Sequence, residues 1–172
     1  LLHGLGKGGD SASPGSGGNA NPQRPQRTVQ IEVFNTQNQL VLSKTGQVSL
    51  DNALGNFKGI IDLGPTFPTG IYSVKVKSDQ FLKSLVPGIQ NITTGSTNLL
   101  TQTTLVTGDI NNDNKMDILD YNTLIDCYSD ITPARNCSDP AKKTSADITD
   151  DGGVNQFDYN LFLRELTNRA GE

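Results

Sequence analysis

Two acidic strings near the C-terminus, GDINNDNKMDILDYN from Gly108 and DITDDGGVNQFDYN from Asp147, restrict the fold of this chain more than any other feature. Calcium takes about six to eight hard oxygen ligands, and a loop of about twelve residues supplies them from positions 1, 3, 5, 7, 9 and 12, position 7 through its main-chain carbonyl. In the first string those places hold Asp109, Asn111, Asp113, Lys115 through its carbonyl, Asp117 and Asp120. In the second they hold Asp147, Thr149, Asp151, Gly153 through its carbonyl, Asn155 and Asp158. Position 6 needs a sharp turn, which Gly152 makes freely and Asn114 tolerates. Position 8 is apolar in both, Met116 and Val154, and can tie one loop to the other. The spacing predicts two bound calcium ions, against the plainer reading of a solvated acidic face.

Each string runs on into helical periodicity. Tyr121, Leu124, Ile125 and Tyr128 share one face after the first loop, and Tyr159, Phe162, Leu163 and Leu166 share one after the second. LLTQTTLV, ahead of Asp109, reads as a strand, so each unit is predicted as a loop and an exiting helix, half of a helix–loop–helix hand. One half cannot bury its helix alone; two related by a pseudo-two-fold axis cover each other around the ions. Loop one offers carboxylates at positions 1, 5, 9 and 12 and loop two at 1, 5 and 12, which predicts tighter binding by the first. The two cysteines, Cys127 and Cys137, suit one disulfide of an oxidising compartment that staples the connection between repeats; two free thiols are the alternative.

Upstream, composition changes twice. Residues 1–27 are dominated by Gly, Ser, Asn and Pro, a composition that cannot fold alone and reads as an arm or linker. Its start is apolar: Leu1, Leu2 and Leu5 are either a remnant of a preceding segment or a plug donated to a neighbouring subunit. The only methionine is Met116, so Leu1 is not an initiator, and the chain reads as processed or cut from a longer one. Residues 28–106 alternate short β-rich runs with Asn, Gly and Pro turns: TVQIEVF, QLVLSK, GQVSLD, FKGIIDL, GIYSVKVK, FLKSLV and LLTQTTLV. With no helical crossover between them, they predict an antiparallel β-sandwich, Ig-like or prealbumin-like. The stretch PTGIYSVKVKSDQFLKSLV resembles prealbumin-like and carboxypeptidase-regulatory-like sandwiches. The predicted fold class is mainly β with a small α domain, the sandwich at 28–106 followed by a two-repeat helical calcium-binding domain at 107–172.

Residues 108–168 resemble a type I dockerin module, with two tandem loop–helix repeats and Asp120 and Asp158, not Glu, at position 12. The resemblance implies that calcium folds the module and that it docks onto a cohesin-like receptor on a scaffold or cell surface. Dockerins often carry a Ser-Thr pair at loop positions 10 and 11. Ile118-Leu119 and Gln156-Phe157 stand there instead, to meet an unusual cohesin or to pack on the chain's own sandwich.

Other functional classes fare worse. Residues 107–172 hold 13 Asp and Glu against 6 Lys and Arg, the opposite of a nucleic-acid footprint. No run approaches the roughly 18 apolar residues of a membrane span. The lone histidine, His3, lies in the arm, which leaves the folded part without a His-assisted nucleophile or zinc site and argues against an enzyme. The chain has no Trp, and its sandwich aromatics are needed in the core, so binding of a polysaccharide is a lesser alternative. The expected protein is a non-enzymatic, calcium-stabilised structural or assembly module, secreted or on a prokaryotic cell surface, whose partner is either further copies of itself in a filament or a cohesin-like receptor.

Overall fold

The computed structural model describes residues 1–8, 18–130, 137–166 and 171. β1 (Gln26–Phe34) alternates as a half-buried strand must, turning Val29, Ile31 and Val33 inward. β2 (Leu40–Asp51) pairs with it antiparallel along its length, with Ile31 opposite Lys44. QLVLSK and GQVSLD thus form one strand: Gly46, expected in a turn, stays in the ladder opposite Val29. β3 (Asn56–Lys58) adds to the outer edge of β2, and β4 (Gly70–Ser78) lies on the other side of β1 with Val74 opposite Val33. β5 (Gln80–Phe81), β6 (Ser84–Leu85) and β7 (Gln90–Ile92) follow. β6 and β7 both pair with β4, which gives the order β3-β2-β1-β4-β6 with β7 beside it.

The inner face of this sheet, Ile31, Val33, Tyr72 and Val74, is closed by Phe67, Val86 and Ile92 together with Ile61, Leu63 and Leu100. The facing layer of the sandwich is largely extended coil. FKGIIDL pairs only at its start, in β3, and LLTQTTLV is coil apart from a bridge at Leu105. The reason is that the backbone of Leu105 is taken by the arm: its N–H donates to the Leu1 carbonyl and its own carbonyl accepts from the His3 N–H.

The arm's apolar start is used within the chain, contrary to its reading as a plug for a neighbour. Leu2 and Leu5 are buried with Phe81 and Leu105, and Phe57 and Val76 pack against them, a third small core at the seam between the two halves. Burying each leucine is worth about 1.5–3 kcal/mol, against roughly 1–2 kcal/mol for ordering the backbone of that one residue. Residues 18–27 continue along the same seam, where the Asn19 side-chain amide donates to the carbonyls of Thr149 and Asp150.

β8 (Thr107–Asp109) pairs with β5 and carries the chain from the sandwich into loop one; it starts just after LLTQTTLV, where the strand was expected. Three helices follow: α1 (Ile118–Cys127), α2 (Pro140–Ala146) and α3 (Gln156–Glu165). Their common core is Ile110, Met116, Leu124, Cys127, Ala146, Ile148, Val154, Leu161 and Phe162, so the two position 8 residues do meet in one core. The buried stripes are turned from those expected. Ile125 and Leu163 are each 42% exposed, while Cys127 and Leu161 face inward. α2 went unforeseen, and it makes the second repeat a full helix–loop–helix. It is short, buries only Ala146 and has no apolar stripe; its signals are the Asp139 N-cap and Pro140 in the first turn. Cys127 and Cys137 are joined by a disulfide, which ties the end of α1 to the segment entering α2.

Candidate metal centre

Both acidic strings fold into loops with one shared hydrogen-bond frame. In loop one the position 3 amide, Asn111, donates to Asp120 Oδ1 at 3.0 Å, and the position 6 amide, Asn114, to Asp109 Oδ2 at 3.1 Å. The position 7 amide, Lys115, donates to Asp113 at 2.9 Å, and the position 9 amide, Asp117, to Asp120 Oδ2 at 2.9 Å. Loop two repeats each bond: Thr149 to Asp158 Oδ1 at 2.8 Å, Gly152 to Asp147 Oδ2 at 2.9 Å, Gly153 to Asp151 at 2.9 Å, and Asn155 to Asp158 Oδ2 at 2.9 Å. Positions 4 and 6 are left-handed in both loops, with φ of 62° and 67° at Asn112 and Asn114, 54° at Asp150 and 100° at Gly152. Left-handed backbone favours Asn, Asp or Gly at those places.

The same residues start the exiting helices. Asp117 and Asn155, at position 9, are N-caps of α1 and α3, and Asp120 and Asp158, at position 12, close reciprocal capping boxes with them. Asp109, Asp120 and Asp158 are fully buried, and Asp147 nearly so. Burial pushes Asp147 up to about 6 and Asp158 up to about 7, and raises Asp109 and Asp120 as well. A cation beside acids this buried would favour their ionised form. In loop two carboxylate oxygens of Asp147, Asp151 and Asp158 converge to within 4.8 Å of one another. In loop one Asp109 Oδ1 is buried with no hydrogen-bond partner, while Oδ2 is held by the Asn114 N–H and by the Lys77 ammonium. The orphaned oxygen, the converging carboxylates and the all-oxygen donor set fit calcium. The Thr149 hydroxyl donates to Asp158 Oδ1 at 2.9 Å, and the Asn155 amide lies 3.2 Å from Asp151.

The sandwich half reaches into both loops, and sequence reasoning missed every residue that does so. Lys77 of β4 pairs with Asp109. Asp150, at position 4 of loop two, is held by Arg24 Nε at 2.7 Å and Arg27 Nη2 at 2.9 Å. Gln80, the first residue of β5, touches both loops. Only Arg27 gave a local signal, a charge at the inward-facing phase of β1.

Loop positions 10 and 11 do not pack on the sandwich. Ile118 is 63% exposed, Leu119 56% and Phe157 41%, an apolar surface at the starts of α1 and α3.

One solved structure similar to the chain is a type II cohesin–X–dockerin complex from Acetivibrio cellulolyticus, a C-terminal interface mutant; the identity is 16% over 81% of this chain and 80% of that one, with a TM-score of 0.49. No curated protein matches. The family model described as dockerin type I domain matches residues 107–167, from the start of β8 to just beyond α3. Residues 107–167, the two loops and their helices, thus match the type I dockerin domain, a family of calcium-binding protein-interaction modules, and a β-sandwich precedes them.

Proposed function

We propose that this protein is a docking subunit of an extracellular bacterial assembly: its dockerin domain, folded around two calcium ions, binds a cohesin-like receptor on a scaffold or cell surface. Asp109, Asn111, Asp113, Lys115 (carbonyl), Asp117 and Asp120 hold one ion, and Asp147, Thr149, Asp151, Gly153 (carbonyl), Asn155 and Asp158 the other. The observation that supports this reading is the hydrogen-bond frame repeated in both loops of the matched span, with the carboxylates of Asp147, Asp151 and Asp158 gathered in loop two and the unpartnered Asp109 Oδ1 in loop one. The ions neutralise those acids and lock the starts of α1 and α3, and so fix the surface a partner meets.

Ile118, Leu119 and Phe157 supply that surface. A partner suited to them presents an apolar patch where a receptor for a Ser-Thr pair would present polar groups. The burial of Leu2 and Leu5 within their own chain favours this anchor over self-assembly into a filament through the arm. The test is calorimetric titration of purified cohesin modules into the calcium-loaded chain. Binding is expected in calcium, absent in chelator, and weakened at least tenfold by Leu119→Asp with Phe157→Asp. Equal binding with and without calcium, or no loss in the double variant, refutes the reading.

A further inference from the structure

Gln80 lies outside both loops and is 2% exposed, with a left-handed backbone at φ 71°. It is the register partner of Asp109, position 1 of loop one, in the β5–β8 pair. Its N–H donates to Asn112 Oδ1 at 2.9 Å, position 4 of the same loop. Its side chain points to the other loop: Nε2 lies 2.9 Å from the Thr144 carbonyl, 2.8 Å from that of Ser145 and 3.0 Å from that of Asp147, position 1 of loop two. The carboxamide orientation is fixed by chemistry, because Oε1 accepts from Arg24 Nη2 at 2.9 Å and Arg27 Nη1 at 3.0 Å, and guanidinium groups only donate.

We infer that Gln80 is a positioning residue for both calcium loops, through its main chain for loop one and through its side chain for loop two. The last carbonyls of a helix have no partner inside the helix. At the end of α2 the Gln80 amide supplies one, and thereby fixes where α2 delivers Asp147. The two arginines that orient the carboxamide also grip Asp150, so the side chain is held from one end while it caps from the other. This inference rests on the calcium reading above and adds that part of the metal-site geometry is built by the sandwich half.

The split between main chain and side chain gives a sharp test on the full chain. Gln80→Gly keeps the left-handed backbone and the N–H but deletes the carboxamide; Asn112→Gly deletes the acceptor in loop one alone. Calcium titrations followed by the amide resonances of Asn114 and Gly152 read the loops separately. Loss of an outer-shell partner costs about 10–100-fold in metal affinity. Gln80→Gly is expected to weaken loop two at least tenfold and leave loop one within about twofold, with Asn112→Gly doing the reverse. In the metal-free chain, hydrogen exchange at the Ala146 and Asp147 amides is expected to accelerate in Gln80→Gly, and resonances of β1 and β4 report that the sandwich is still folded. Should that variant lose the sandwich, Gln80→Glu, which keeps both arginine contacts but faces the three carbonyls with an oxygen, is expected to give the same loop-two loss. Equal weakening of both loops, or loop-two affinity within twofold of wild type, overturns the inference. Wild-type protein that takes up no calcium overturns the calcium reading with it.

Discussion

Removing calcium leaves the buried carboxylates of Asp120, Asp147 and Asp158 without a counter-ion, while Asp109 keeps Lys77, and the cost depends on pH in a direction the structure sets. Asp158 has its folded value raised from 3.8 to about 7 by burial. The metal-free folded chain therefore binds more protons than the unfolded chain between about pH 4 and 7, and its stability falls as pH rises through that window. At 1.36 kcal/mol for each factor of ten, ionising Asp158 costs roughly 4 kcal/mol, of which roughly 2–3 kcal/mol is incurred between pH 5 and pH 8. Asp147, raised to about 6, acts in the same direction. Chain stripped of metal on a chelating resin is expected to melt roughly 5–10 °C lower at pH 8 than at pH 5, followed by circular dichroism at 222 nm where the helices dominate. Calcium reverses the trend: the loaded chain is the more stable at pH 8, and loses stability as protons displace the ion on acidification. A metal-free melting temperature that is flat or rising from pH 5 to pH 8, or an equal gain from calcium at both, refutes the reasoning.

Lys77 neutralises one of loop one's four carboxylates, which removes the charge advantage that loop has over loop two. Lys77→Met is expected to tighten calcium at loop one about threefold to tenfold, roughly 1 kcal/mol, and to destabilise the metal-free chain, read by chelator competition. Leu5→Ala is expected to cost about 3 kcal/mol in urea unfolding by opening a cavity against Phe81 and Leu105, while the protein stays monomeric on size exclusion; a loss below about 1 kcal/mol argues that the arm is not part of the core. Cys127→Ser is expected to lose about 2–3 kcal/mol and retain both calcium ions, and thiol titration of denatured, unreduced wild type is expected to find no free sulfur.

What could be read in the sequence was local. A calcium loop's frame runs over a dozen consecutive residues, so the alternation from Asp109 to Asp120 and its echo from Asp147 to Asp158 already imply the turns at Asn114 and Gly152 and the helices that follow. β1 and β4 alternate as their sequences suggested, but a run such as LLTQTTLV can lie along the core as unpaired chain, and nothing local says that the arm takes the hydrogen bonds of Leu105. α2 has no apolar stripe, which left only its cap as a clue. The contacts that tie the sandwich half to the two loops were the least legible part. Lys77, Gln80 and Arg27 are polar residues on strands, distant in sequence from the loops they hold, and their partners are set by how the two halves meet.

Calorimetric titration of calcium into the stripped full chain at pH 8 tests the central claim most directly. Two ions per chain are expected, with one lost in Asp120→Ala, the other in Asp158→Ala, and no heat of binding when both are replaced. No uptake by the wild type, or uptake that survives the double replacement, contradicts the account.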